Sequence, residues 1–195
     1  MSDDTSVSLL ERLRLRPDDA SWKRLVDLYT PLIHCWLQGR LVAPADADDL
    51  GQEVLAVLVR ELPHFEHSGR PGAFRSWLRT ITVHRLRDFW RARGHRPEAT
   101  GDSAFLDRLN ELEDPGSGLS GLWDEEHDRH VVRRLLELIR SDFQPTTWQA
   151  FEGVMLRGEA PAAVAVRLGV SVNAVLLAKS RVLARLRSES QGLID

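Results

Sequence analysis

The chain of 195 residues has a single cysteine, Cys35, which excludes an internal disulfide and any zinc site built on cysteine. Cys35 sits in an apolar helical pattern, so a buried, unreactive thiol is expected. No segment reaches the ~18 consecutive apolar residues that a membrane span requires. The first twenty residues hold Asp3, Asp4, Glu11, Asp18 and Asp19 where a signal peptide would need an apolar run, so a cytoplasmic protein without a membrane partner is expected. A glycine-rich phosphate loop, a nucleophile elbow and a catalytic triad pattern are all missing, which argues against an enzyme and against a bound cofactor. His64, Glu66 and His67, and again His127, Asp128 and His130, come nearest to metal-ligand sets. Neither set meets a zinc spacing, so both are read as solvated loop residues and no metal is expected. Period-two alternation is missing over any useful length, which excludes strands as the main element, and there are no internal repeats.

What is present is ordinary in amount and unusual in arrangement. Hydrophobic residues make up 43% and charged residues 28%, as in soluble globular proteins of one or two cores. The net charge of −3 conceals four blocks. Residues 1–69 hold 7 basic and 12 acidic side chains, and residues 70–96 hold 8 arginines and one acid. Residues 97–128 then hold one arginine and 10 acids, and residues 129–195 hold 10 basic and 6 acidic side chains. Two basic blocks separated by an acidic one suggest two contacts with DNA and acidic surfaces for a basic protein partner.

Helical periodicity runs through most of the chain. Leu25, Leu28, Tyr29, Leu32, Ile33 and Trp36 form one amphipathic stripe. Leu50, Val54, Val57, Leu58 and Leu62 form a second, entered through Pro44-Ala45-Asp46 and stopped at Pro63. A third starts at Phe74, Trp77, Leu78 and Ile81 and continues through Leu86 and Phe89 to about Arg93, and a short helix with Leu9, Leu10 and Leu13 precedes them. From Gly94 to about Trp123 the periodicity stops among Pro97, Gly101, Pro115, Gly116, Gly118 and Gly121, the composition of a linker. It returns with Val131, Leu135, Leu138 and Ile139, and again with Trp148, Phe151, Val154 and Met155. The expected fold class is all-α: a helical domain over 1–93, a flexible acidic linker over 94–124 and a helix-turn-helix domain over 125–195.

The tail, from Pro161 to Val175 and beyond, reads as a helix, a turn at Gly169, a cap at Ser171 and a second helix. Lys179, Arg181, Arg185 and Arg187 follow with no acid among them. This is the pattern of a helix-turn-helix that enters a DNA groove. Val164, Leu168, Val170, Val175, Val182 and Leu186 are its expected packing side. Asn173, Ala174, Leu177, Ser180 and Arg181 are expected near the groove, with Lys179, Arg185 and Arg187 toward phosphates. An ordinary helical hairpin is the alternative on pattern alone.

The first domain holds two further motifs. Asp46-Ala47-Asp48-Asp49-Leu50-Gly51-Gln52-Glu53-Val54 places more acids in a first helical turn than the helix dipole needs, with Asp49 and Glu53 on one face. A basic protein surface is the expected partner. The third helix then interleaves Arg70, Arg75, Arg79, Arg85, Arg87, Arg91 and Arg93 with Phe74, Trp77, Phe89 and Trp90. Arginines follow phosphates, and exposed aromatic rings stack on unpaired bases. Trp77 has the spacing of a core residue, whereas Trp90 lies among charges.

Taken with Pro63-His64-Phe65, Ala73-Phe74-Arg75-Ser76-Trp77-Leu78-Arg79-Thr80-Ile81 and Arg85-Leu86-Arg87-Asp88, these motifs resemble the extracytoplasmic-function (ECF) sigma factors of bacterial RNA polymerase. The resemblance covers about residues 20–93 and 125–187. It implies a non-catalytic specificity subunit that recruits core RNA polymerase, recognises two promoter elements and stabilises the melted strand. Asp48, Asp49, Gln52 and Glu53 would contact the clamp helices of the largest polymerase subunit. Phe65, Arg70, Arg75, Arg79, His84, Arg87, Trp90 and Arg91 would contact the −10 element, with the loop from Phe65 to Gly72 receiving a flipped base. Ser171, Asn173, Ala174, Leu177, Lys179, Ser180, Arg181 and Arg185 would read the −35 element. The resemblance also implies that the acidic linker threads the polymerase's RNA path and that an anti-sigma factor supplies control. His84 stands where the family usually has Asn, and Leu176-Leu177-Ala178 where it commonly has basic and polar residues.

Two other functional classes compete. A free-standing helix-turn-helix regulator with an N-terminal dimerisation or sensing bundle would bind duplex DNA unaided, usually as a symmetric dimer. A helical hydrolase built on His64, His67 or the Asp46 cluster has no supporting spacing.

Overall fold

The computed structural model describes residues 8–15, 18–40, 42–66, 68, 70–92 and 102–194, and among these every regular element is a helix. The fold is all-α. The chain forms two compact units, one built on Leu9–Val131 and the other on Val132–Gln191.

In the first unit, α1 (Leu9–Leu15) buries Leu9, Leu10 and Leu13. Helix α2 (Asp19–Arg40) starts where the Asp18 carboxylate accepts the Ser21 N–H at 2.7 Å, satisfying one of the donors that a helix start leaves open. Its stripe of Leu25, Leu28, Tyr29, Leu32, Ile33 and Trp36 is buried, and Leu37 joins it. Cys35 is exposed rather than buried. At ~100° per residue it falls just past the edge of the stripe centred on Tyr29 and Trp36. Helix α3 (Pro44–Glu61) opens with Pro44 in its first turn, buries Ala47, Leu50, Gly51, Val54, Leu55 and Leu58, and gives way to a 3-10 turn over Leu62–His64. A Cβ on Gly51 would lie 2.8 Å from Nε2 of His34, so this glycine lets α3 lie close against α2. Helix α4 (Ala73–Ala92) turns Phe74, Leu78, Ile81, Val83 and Leu86 into the core.

The segment expected as a linker contains two helical stretches among its described residues. Residues 94–101 lie outside the described residues, but Asp102–Glu113 forms α5 and α6 begins at Gly118 and runs to Ile139. Phe105, Leu109 and Leu112 give α5 a buried face, and α5 packs on α4. The start of α6 buries Trp123, His127 and Val131 completely. Burial of large side chains, each worth roughly 1.5–3 kcal/mol, outweighs the ~1 kcal/mol cost of Gly121 inside a helix.

The second unit holds the end of α6 with α7 (Pro145–Met155), α8 (Pro161–Leu168) and α9 (Val172–Ser190). Ala150, Val164, Ala165, Val175 and Ala178 form one buried cluster, with Val154, Leu168 and Val170 against it. Ile139, Trp148, Phe151 and Val182 form another, with Leu136, Phe143, Leu183 and Leu186 against it. The expected packing side of the tail is therefore the observed one. Met155, placed in the α7 stripe by its spacing, is exposed.

Candidate nucleic-acid interface

Helix α4 carries most of the first basic block, and the structure divides its arginines into two groups. In the first half of the helix, Arg75 Nη1 donates to Asp128 Oδ2 at 2.8 Å, and its Nε lies 3.4 Å from Asp124 Oδ2. Arg79 is only 4% exposed. Its Nη1 donates to Asp124 Oδ1 at 3.0 Å and to the Ser120 carbonyl at 3.4 Å. Both guanidinium groups are held by carboxylates of α6, inside the same unit.

The carboxylates continue into a buried polar chain. His127 Nδ1 lies 2.9 Å from Asp128 Oδ1, and His127 Nε2 lies 3.2 Å from the Tyr29 hydroxyl. A carboxylate only accepts, so Nδ1–H donates to Asp128 and Nε2 accepts from the Tyr29 O–H. Burial pushes the His127 pKa down, against the pull of Asp128, and pushes the Tyr29 phenol well up. Both groups are thereby kept neutral. His130 Nε2 donates to the Leu28 carbonyl at 2.7 Å. His127 and His130 are thus buried helix residues with structural partners, not the solvated loop residues expected from sequence.

The second half of α4 is more open. Asp88 bridges Arg85 at 2.5 Å and Arg91 at 2.7 Å, while His84 and Arg91 are exposed. Arg87 Nη2 donates to Glu113 Oε2 at 2.5 Å and to Asn110 Oδ1 at 3.1 Å. The Arg87 hydrogen bond holds the Glu113 carboxyl below its ordinary pKa. Trp90, half-buried, meets Phe105 of α5 edge-to-face at 4.3 Å between ring centroids.

Ahead of α4, Arg70 is exposed. Phe65 is buried instead of lining an open loop: its ring lies 5.6 Å from Phe74 and 4.7 Å from Trp77. It supports the segment from beneath. Trp77 is half-buried in the same cluster.

On α3, Asp49, Gln52 and Glu53 are exposed, and among the described residues Asp49 and Glu53 enter no ion pair. Their charge is available to an external cation. Asp48 differs, since it lies 3.2 Å from His34 Nδ1 and accepts from Gln38 Nε2 at 3.5 Å.

In the second unit, α8 ends at Gly169, whose φ of 64° is the left-handed conformation that glycine takes without strain. Ser171 Oγ then accepts the Ala174 N–H at 3.1 Å and caps α9. The chain bends by 105° between the two helices. Asn173, Ala174, Leu177, Ser180 and Arg181 are exposed together, with Val172 and Leu176 beside them. Lys179 is half-buried. Arg185 is engaged elsewhere, 2.9 Å from Asp142 Oδ2 and 2.8 Å from Glu189 Oε1. Among the described residues no single helix is long and apolar enough to cross a membrane, and no group of three or more His, Cys, Asp or Glu is placed to hold a metal ion.

Residues 25–96, from the middle of α2 through α4, match the family model described as Sigma-70 region 2. The chain carries a Sigma-70 region 2 domain. This supports membership of the sigma-70 family and indicates a sigma-factor role in promoter recognition and melting, with RNA polymerase core and promoter DNA as partners. Sigma-70 region 2 belongs to non-catalytic specificity factors of RNA polymerase. No curated protein matches the chain. The region 2 match takes in the acidic first turn of α3 and every arginine of α4, and it stops before α5 and α6. The acids that hold Arg75, Arg79 and Arg87 therefore lie outside it. Sequence reasoning missed Asp124 and Asp128 as partners of α4, and His127 as the partner of Tyr29 on α2. The signal was the Trp123, His127, Val131 spacing, a helical stripe obscured by the glycines before it.

Proposed function

We propose that the protein is a sigma subunit of the ECF type, acting in the cytoplasm. Its region 2 domain binds core polymerase and the melted −10 strand, and its second unit reads the −35 element as a helix-turn-helix. The region 2 match over 25–96 carries this reading. The left-handed Gly169, the Ser171 cap and the 105° bend support the second half, since helix-turn-helix pairs cross at about 90–120°.

Roles follow exposure. Asp49, Gln52 and Glu53 offer their side chains to a basic polymerase surface, with Asp48 oriented by His34. Arg70, His84 and Arg91, which are exposed, are the −10 contacts, together with Arg87 and Trp90, which are half-buried against α5. Arg75 and Arg79 hold the helix in place through α6, and Phe65 supports the loop that would receive a flipped base. Asn173, Ala174, Leu177, Ser180 and Arg181 face the −35 groove, Lys179 flanks them, Ser171 shapes the helix start, and Arg185 braces α9. An anti-sigma factor is the proposed source of control.

The test is co-elution of the purified chain with core RNA polymerase on gel filtration, beside the double variant Asp49→Arg, Glu53→Arg. Stoichiometric co-elution of the natural chain and its loss in the variant are expected. A chain that elutes apart from core and binds duplex DNA unaided would establish the free-standing regulator instead.

A further inference from the structure

Helix α5 lies on the half of α4 that the proposed function assigns to the −10 strand, and its chemistry there resembles that of a nucleic acid. Glu113 and Asn110 take the guanidinium of Arg87, as a phosphate would. Phe105 meets Trp90 edge-to-face and occupies aromatic surface on which a base could otherwise stack. The segment 102–114 has five acids and one arginine, a charge complementary to the face it covers. We propose that α5 is an intramolecular competitor for the −10 strand, covering Arg87 and Trp90 until DNA displaces it.

The competitor is α5 and not α6. The acids of α6 also hold arginines, but α6 is anchored by Trp123 and His127, both fully buried, and by the Trp36–Trp123 ring contact at 4.8 Å. Moving α6 would open the core. Helix α5 is held by smaller side chains, Phe105 and the fully buried Leu109 and Leu112, and by the Arg87 contacts, with no counterpart to the buried polar chain of α6 among them. It joins α6 through a short turn at Asp114–Ser117 in which Gly116 N–H donates to Asp114 Oδ1 at 2.9 Å. A single short helix that buries three side chains on one neighbour opens at lower cost than the core does.

This rests on the reading of α4 as a strand-binding helix, and the experiment separates the two. The probe is a fluorescein-labelled single-stranded DNA of mixed sequence and about 15 nucleotides, long enough to span the site of a strand-binding module, titrated by anisotropy with the full chain at low salt. Glu113→Gln with Asn110→Ala should bind about fivefold tighter than the natural chain, the factor equivalent to ~1 kcal/mol. Glu111→Gln makes the same charge change on an exposed α5 side chain away from Arg87, and should shift affinity far less. Hydrogen exchange across residues 102–113 should speed up when the DNA is added. An equal gain from Glu111→Gln would reduce the effect to net charge and overturn the competition. If neither α5 variant shifts affinity while Arg87→Ala weakens it, α4 binds the strand and α5 does not compete. If Arg87→Ala also changes nothing, this face does not bind the strand, and the reading beneath the proposal fails with it.

Discussion

Arg79 of α4 and Asp124 of α6 stand 45 residues apart in sequence and meet at 3.0 Å, with Arg79 almost wholly enclosed. An arginine in that position cannot also reach a phosphate. Arg91, on the same helix, has three quarters of its side chain in solvent. The two therefore separate stability from binding. Arg79→Ala should cost about 2–3 kcal/mol, because it leaves a partly buried carboxylate and the Ser120 carbonyl with one partner fewer. Arg91→Ala should leave stability within ~0.5 kcal/mol and weaken single-stranded DNA binding. Urea unfolding and anisotropy on both variants check this. A fully stable Arg79→Ala would return that residue to the list of DNA contacts.

Much of this division was beyond reach of the sequence. The stripes of α2 and α3 were legible because every apolar position at helical spacing had one core to face. The left-handed turn at Gly169 and the cap at Ser171 were legible because they are local, set by the residues themselves. Helix α5 was hidden: Phe105, Leu109 and Leu112 are a short stripe between acids, and only α4 gives it something to cover. The acidic patch on α3 was legible as surplus charge. The identity of Arg75 and Arg79 as bracing residues was not, since their partners are tertiary. Cys35 was misplaced because a residue at the edge of a stripe is assigned its face by packing, not by period.

The chain Tyr29–His127–Asp128 ties stability to pH. Burial lowers the folded-state pKa of His127 below its ordinary 6.5, so the unfolded chain takes up a proton first as pH falls. Stability contributed by the neutral imidazole is complete above about 6.5 and is lost as pH drops from there toward the depressed folded value. Asp128, Asp124 and Arg75 face the same ring. The melting temperature should fall between pH 7 and pH 5, and His127→Gln should flatten that fall while lowering stability at pH 7. An equally steep fall in the variant would assign the proton to another group.

Gly153 offers a sterically defined test in the second unit. A Cβ there would lie 2.9 Å from Val164 Cγ2 and 2.7 Å from Arg167 Nη2. Val164 is fully buried and has no room to retreat. Alanine gains ~1 kcal/mol in helix propensity, but overpacking costs about 1–3 kcal/mol. Gly153→Ala should therefore lower stability by about 1 kcal/mol despite its better propensity, as read from the denaturation midpoint. A stabilised variant would show that α7 and α8 separate easily.

The exposed start of α9 is apolar where a base-reading helix is usually polar. Leu176 and Leu177 are 46% and 49% exposed, with Val172 beside them, and Asn173 and Ser180 are the uncharged polar groups nearby. Side chains of this kind read a groove through the thymine methyl group, the one apolar feature on a base edge. Binding of the holoenzyme to a promoter selected in vitro should therefore weaken when deoxyuridine replaces thymidine in the −35 element. A loss of about tenfold per two methyl groups is expected, at ~0.8 kcal/mol for each buried carbon. Leu176→Ala with Leu177→Ala should bind the natural promoter more weakly and lose most of its response to deoxyuridine. Lys179→Ala should weaken both promoters alike, because a phosphate contact is blind to the base. If deoxyuridine has no effect on the natural chain, readout by the leucines is wrong, and Asn173 and Ser180 are left to distinguish the bases.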